Sequence, residues 1–395
     1  MYFKYSNAHK RLPVIFSVLF VVFFSSCNTS NTDLNKINLV SAVSDISQVD
    51  LSNFVDEISY IPLETSESSL LGYIYKIIIS DQFLYVRDNR NLHLFSRDGK
   101  YLSQVGVMGK GPGEIQFITD FCVDASSGHI FILDGNTIKI HNNHGDFMKQ
   151  ISIEGDNPGQ VDFTDGNLLI YYYNSSGKTE NSYELINLNG DIIKRFPNKY
   201  NFETDGMVHT FYTESINYFL NGDLHCREIH SDTVFTFKNN EFIPKYIFNQ
   251  GHGRLSPEVR GNGRYFNENG TDYIAVSHLF ETTSLLFISY WWKKQGQYII
   301  MDKKRGDEFV FDPIIGLKND IDGGLNFIPQ FSVNQNNSEY LVMWADAFKI
   351  KGHTDGSEFK NLIPQFPEKK IQLEQLAAEI NENDNPVVVL GRLKK

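Results

Sequence analysis

Apolar and polar positions alternate in short runs along most of the chain, and the runs return in the same order. From Tyr60 onward a strand-like run is followed by a second, then a turn, then a third. The clearest mark is a Gly- or Asn-centred hairpin between two apolar strands. It occurs at 92–106 (LHLFSRDGKYLSQVG), 138–153, 183–196, 234–248 and 298–311. Alternation at period two places successive side chains on opposite faces of a sheet. Asp-Gly and Asn-Gly pairs supply the positive φ that tight hairpins require. The turns at Gly99, Gly145, Gly190, Asn240 and Gly306 are spaced by 46, 45, 50 and 66 residues. A repeat in the forties is the length of one four-stranded propeller blade. The last interval is long because of an insertion at 249–272.

Inner strands are expected ahead of each hairpin, at 74–88, 121–134, 167–173, 209–228 and 274–292, with a weaker sixth unit at 324–350. One helix is expected, over Glu368–Glu379, where apolar residues fall in a rough amphipathic pattern. Asn385-Pro386 stops it, and Val387 to Leu390 then reads as a strand completing a blade from the opposite chain end. The expected fold is all-β: a six-bladed β-propeller with a short C-terminal helix and a terminal closing strand. Radial repetition removes long exposed sheet edges and leaves a central channel.

The first residues follow another pattern. Lys4, His9, Lys10 and Arg11 form a basic leader, and Leu12 to Phe24 is an apolar run broken by Pro13 and Ser17. Small residues and Cys27 follow, as at the cleavage site of a secretory signal. The apolar run is shorter than the roughly 20 residues of a membrane span. Ser25-Ser26-Cys27 resembles a bacterial lipobox, whose cysteine is diacylated and becomes the new N-terminus; Phe24 stands where that box usually has Leu. The expected organisation is a signal peptide at 1–26, a lipidated polar tether at 27–40 and a propeller at 41–395. The Asn/Thr-rich stretch Asn28–Asn38 is too polar to order itself.

Three further segments carry a family resemblance: GKGPGEI at 109–115, SDTVFTF…IPKYIF at 231–248, and the ending DNPVVVLGRLKK at 384–395. Over residues 40–395 the chain resembles the six-bladed, NHL-related β-propeller lipoproteins of diderm bacteria. The resemblance implies the fold and an envelope location, and no particular reaction.

Composition and charge narrow the partners. The chain holds 31 Phe and 20 Tyr, a bias toward pleated sheet. Its net charge is −12, and because residues 1–26 carry three bases and no acid, the remainder stands at −15. Such a chain lacks the clustered cations that bind phosphate backbones, so nucleic acid is set aside. Besides Cys27, the cysteines are Cys122 and Cys226, both in strand-like runs and read as small buried hydrophobes, although an exported protein could pair them.

No motif spells out a reaction. GKGPGEI lacks the Lys-Ser/Thr of a phosphate loop, and Pro112 removes a backbone donor, so it reads as a tight inter-blade loop. His141 and His144 are spaced like metal ligands but lack the further convergent groups that zinc needs. His225 and Cys226 should face opposite sides of a strand. Asp320–Gly324 (DIDGG) lacks the other ligands of a calcium loop. No cofactor or metal is expected. The 249–272 insertion holds Arg254, Arg260 and Arg264 with Tyr265, and its arginines are suited to a carboxylate or sulfate; a solvated loop is the plainer reading. Trp292, in the Tyr290–Lys293 cluster, joins them as a candidate ligand-binding residue, with inter-blade packing as its plainer role.

Two functions compete. One is a membrane-anchored binding or scaffold propeller presenting its loops and channel to a glycan, peptide or envelope protein. The other is a metal-dependent propeller hydrolase or lactonase. Lys76, Asp120 and Asn217 are expected to line the channel, and one carboxylate beside a lysine is a poor cation site. The binding reading is therefore preferred.

Overall fold

The computed structural model describes residues 35–40, 46–207 and 209–394. The leader and Cys27 lie outside the described residues. Two strands come first, β1 (Asn35–Asn38) and β2 (Val55–Pro62). The first blade holds β3 (Lys76–Ile79), β4 (Phe83–Arg87), β5 (Leu92–Ser96) and β6 (Tyr101–Gln104). The second holds β7 (Asp120–Val123), β8 (Ile130–Asp134), β9 (Thr137–His141) and β10 (Phe147–Ser152). The third holds β11 (Pro158–Thr164), β12 (Asn167–Tyr172), β13 (Asn181–Ile186) and β14 (Ile192–Pro197). The fourth holds β15 (Ser215–Leu220), β16 (Asp223–Glu228), β17 (Thr233–Lys238) and β18 (Glu241–Asn249). The fifth holds β19 (Ala275–Glu281), β20 (Leu285–Trp292), β21 (Gln295–Asp302) and β22 (Glu308–Phe311). The sixth is built from both ends of the domain: β23 (Phe331–Gln335), β24 (Ser338–Ala345), β25 (Val387–Leu393) and β2.

The ring closes where β25 slots between β24 and β2, pairing Ser59 with Leu390 and Val342 with Leu390. The closing strand expected at Val387–Leu390 is therefore present and continues to Leu393. Asn385 clamps this closure. Its side-chain amide donates to the carbonyls of Glu64 and Ser69 at 2.8 and 2.7 Å, and its side-chain oxygen accepts from Leu71 N at 2.8 Å. Aromatic stacking ties neighbouring blades, as between Phe131 and Phe163 at 5.2 Å.

Three expectations need correction. The polar tether was drawn through residue 40, but Asn35–Asn38 is a fifth strand on blade four, parallel to β18 with Asn38 opposite Asn249. Backbone pairing, which the side chains do not announce, orders it. Blade three begins earlier than expected: β11 is its inner strand, turned into β12 by Asp165 and Gly166 at φ 49° and 78°. Finally, the described residues hold five α-helices rather than one: α1 (Pro257–Gly261), α2 (Gly263–Asn269), α3 (Ala347–Asp355), α4 (Ser357–Asn361) and α5 (Pro367–Glu379), the last being the one expected. The 249–272 stretch is helical because Ser256 caps α1 at Val259 N (3.4 Å) and Asn262 caps α2 at Tyr265 N (3.1 Å).

Topology gives the ring two unlike faces. Strands alternate in direction within a blade, so every blade-to-blade connector and every turn between second and third strands emerges on one side. That connector face carries the long segments: 63–75, 105–119, 198–214, 250–274, 312–330 and the helical 346–386. The other face carries short hairpins, such as Asn239-Asn240 and Asn336-Asn337, with both residues at positive φ. The GKGPGEI segment is a braced connector. Glu114 accepts from Gly111 N at 2.7 Å, and Asp134 of the next blade accepts from Gln116 N and Phe117 N at 2.9 and 3.0 Å. A Cβ at Gly113 (φ 79°) would fall 2.9 Å from the Phe147 ring, so this turn needs glycine.

Candidate functional site

The innermost strands of blades one to four bring four polar side chains together. Lys76 on β3 donates from Nζ to Asp120 Oδ1 on β7 and to the Phe121 carbonyl, both at 2.8 Å. Asp120 Oδ2 accepts from Val161 N at 3.1 Å. Asn217 on β15 donates to Asp162 Oδ2 on β11 at 2.7 Å. Lys76, Asp120 and Asn217 thus lie on the innermost strands of blades one, two and four. Asp162 falls outside the inner strand expected for blade three at 167–173, so alternation there does not point to it. The count of four strands per blade would have exposed it.

This cluster is electrostatically unsettled at one point. Burial pushes the Asp162 carboxyl up to about 6, against the opposing pull of Lys76 and the Asn217 hydrogen bond, with Asp120 adding to the rise. Burial also works against the Lys76 charge, but Asp120 and Asp162 more than offset it and raise its pKa. A buried acid held near neutrality at the cost of stability is a mark of functional sites. A folded pKa above the unfolded value means that Asp162 destabilises the fold progressively as pH rises through about 6. Asp162→Asn, which keeps an acceptor for Asn217, is expected to stabilise the protein by about 1–2 kcal/mol at pH 8 and by about half as much at pH 5. Urea melts at the two pH values check this; equal effects at both would remove the titration from the explanation.

On the connector face stand exposed aromatics. Tyr73, Tyr75, Phe117 and Tyr212 are 73, 53, 68 and 89% exposed. Tyr73 and Tyr75 meet edge to face at 5.1 Å, and the Arg87 guanidinium lies 5.2 Å from the Tyr75 ring centre. Arg87 also donates from Nη1 to the Thr119 carbonyl at 2.9 Å. Each of these aromatics lies in or beside a connector just ahead of an inner strand, a position that sequence alternation does not flag.

The arginine-rich insertion is not one basic surface. Arg260 is 1% exposed and donates from Nη2 to Glu214 Oε2 at 2.6 Å, with its guanidinium 5.2 Å from the ring centres of both Phe202 and Phe211. Arg254 is turned toward the His230 carbonyl and Asp232, at 3.1 and 3.3 Å. Arg264 and Tyr265 are exposed, and of the three arginines it is Arg254 and Arg260 that form ion pairs among the described residues. The three guanidinium groups therefore do not converge: Arg260 is drawn inward by the buried Glu214. Trp292 is 8% exposed, donates from Nε1 to the Asp272 carbonyl at 2.9 Å, and carries Lys293 over its ring; Trp291 faces outward instead.

The remaining sequence candidates take structural places. His141 is buried edge-on to Phe147, while His144 is exposed, so their rings do not share a site. Cys122 and Cys226 are buried free thiols, and burial raises the pKa of both. His225 turns toward Thr236 and Lys245, at the edge of a buried cluster around Glu281. Within DIDGG, Asp322 accepts from Tyr60 Oη at 2.8 Å and from Asn319 at 2.7 Å, which makes it a turn brace. No group of three or more His, Cys, Asp or Glu side chains among the described residues has a metal-binding arrangement.

A family model described as a domain of unknown function, DUF4934, matches residues 34–392. The chain belongs to the DUF4934 family. The match spans all six blades of this DUF4934 propeller. Among solved structures, it is similar to an inferred exported protein from Bacteroides fragilis, with 18% identity and a TM-score of 0.64, over 91% of this chain and 99% of that one. It is also similar to a member of the DUF4221 family from Bacteroides vulgatus, with 9% identity and a TM-score of 0.52, over 89% and 99% of the two chains. At these identities the likeness establishes the fold. Among curated proteins none matches the chain at a significant level. No helix among the described residues is long and apolar enough to cross a membrane.

Proposed function

We propose that this DUF4934 protein is an envelope lipoprotein of the NHL-related kind, anchored through Cys27 after removal of residues 1–26. In this reading it works as a binding or scaffold propeller whose connector face receives a glycan, peptide or partner protein. The observation that carries the reading is the asymmetry of the ring. The long connectors and the exposed Tyr73, Tyr75, Phe117 and Tyr212 gather on one face, around a polar channel. Aromatic side chains of this kind give contact area at low entropic cost and are common anchors in binding surfaces. Similarity to an exported Bacteroides fragilis protein supports an extracytoplasmic location.

The hydrolase alternative gains one carboxylate in Asp162, but the Lys76 ammonium stands where a catalytic cation would need those same oxygens. We therefore favour binding without chemistry.

The test compares wild type, Cys27→Ser and the double variant Tyr75→Ser/Tyr212→Ser in cells. Cys27→Ser is expected to leave the membrane fraction; retention in the detergent phase overturns the anchor. The tyrosine variant is expected to stay folded and membrane-bound but to lose envelope cross-links formed by wild type. Unchanged cross-links overturn the connector face as the binding surface.

A further inference from the structure

A second concave site lies on the side of the ring, between blades three and four. It is a cavity of about 270 Å³. Its walls are Tyr183, Phe196, Phe235 and Phe242, with Glu228 and Cys226 among its lining residues. Phe242 organises the aromatic wall, with ring centres 4.9 Å from Tyr183, 4.9 Å from Phe196 and 6.2 Å from Phe235. Ser182 Oγ donates to Glu228 Oε2 at 2.7 Å, which fixes the carboxyl.

We infer that this crevice binds a small organic amine with an aromatic or branched apolar body, its ammonium paired with Glu228. The site lies apart from the channel and connector aromatics and does not rest on the function proposed for them.

Three features select this ligand class. The aromatic rings supply apolar contact and negative π faces, and a cation beside such faces and a carboxylate is stabilised twice. Phe196 already accepts one cation on its face, since Lys194 Nζ sits 5.2 Å from its centre. The rim cations are mostly neutralised. Lys194 pairs with Glu241, and Arg195 pairs with Glu184 and Glu154 at 2.9 and 3.0 Å. Lys199 is the rim charge that faces Glu228. Finally, a chain of net charge −12 concentrates cations near its surface and repels acids.

Burial pushes the Glu228 carboxyl up to about 7, with Glu214 adding to the rise and Ser182 and Lys199 opposing it. The other groups facing it are the Cys226 thiol and the Tyr171, Tyr183 and Tyr200 hydroxyls, all of which are shifted upward by burial. Glu214 itself is paired with Arg260. An ammonium needs the ionised carboxylate, so affinity should fall as the pH drops through about 7.

The experiment is titration calorimetry of the purified protein with 2-phenylethylamine, 2-phenylethanol and 3-phenylpropionate. The amine is expected to bind best and to lose about tenfold in affinity between pH 8 and pH 6, as the ionised fraction falls. Glu228→Gln, which can keep the Ser182 hydrogen bond, should weaken the amine at least tenfold at pH 8 and leave the alcohol unchanged. Lys199→Gln, an exposed change that spares folding, should tighten the amine severalfold. Equal or stronger binding of the alcohol or the acid overturns the proposal, as does absence of binding by all three at millimolar concentration. Amine binding that survives Glu228→Gln overturns the assignment of the carboxylate.

Discussion

Arg260→Ala is expected to lower the stability of the propeller by about 3–5 kcal/mol, the usual cost of stranding one partner of a buried ion pair. Arg260 and Glu214 are each about 1% exposed, and beyond Glu214 the guanidinium meets the His209 carbonyl at 3.2 Å and two aromatic faces. Removing it leaves the Glu214 carboxylate without its counter-charge. The same carboxylate accepts from Tyr171 Oη at 3.2 Å and from Asn174 N, so the loss should spread from the insertion into blade three. Arg264→Ala, at an exposed position in the same insertion, is expected to change stability by less than about 0.5 kcal/mol. Urea denaturation followed by tryptophan fluorescence separates the two. Equal stability of both variants would mean that the pair is not a latch. Arg260→Met tests its physics further, because an apolar replacement fills the space and still leaves Glu214 uncompensated.

The second large effect is expected at Glu281, at the end of β19. This side chain is fully buried between blades four and five. Its carboxylate receives the ammonium groups of Lys245 and Lys303 and the hydroxyls of Tyr218 and Tyr246, the last three at 2.8, 2.7 and 2.9 Å. Burial alone would raise its pKa, but the two lysines outweigh it and hold the carboxyl at about 2. Lys245 tells a different story: burial lowers its pKa despite the bond to Glu281. The pair as a whole therefore contributes less than the Glu281 shift alone suggests. We expect Glu281→Ala to cost about 3 kcal/mol, the low end for a broken buried pair, because both lysines keep some contact with water. The pH dependence has a definite sign. A folded pKa below the unfolded one gives stability that is complete above about 4.5 and disappears as pH falls toward about 2. Wild type should lose stability steeply across that window, and Glu281→Gln should flatten the curve. An unchanged slope would assign acid unfolding to other carboxylates.

Both predictions concern polar groups buried between blades. Asp162 on β11 is the opposite case, a carboxyl whose surroundings favour its neutral form. The molecule thus fastens its ring with paired buried charges and holds carboxyls of raised pKa on the inner strands and beside the lateral crevice.

Much of the fold was legible in the chain itself. The recurring hairpins at Gly99, Gly145, Gly190, Asn240 and Gly306, the closing strand at Val387 and the helix over 368–379 all follow from local rules. Positive-φ turn residues and period-two or helical patterning act within a few residues. Lys76, Asp120 and Asn217 could be placed on inner strands for the same reason. What only the tertiary structure decided depends on partners far away in sequence. β1 is ordered by pairing with β18 at the edge of blade four, β11 by closing a four-strand blade, and α1 and α2 by caps inside a segment that looks like open loop. Arg260 looked like a surface cation because nothing near it in sequence shows Glu214, 46 residues away, waiting in the core. The direction of a charged side chain is set by where its counter-charge lies in space, and sequence spacing does not carry that information.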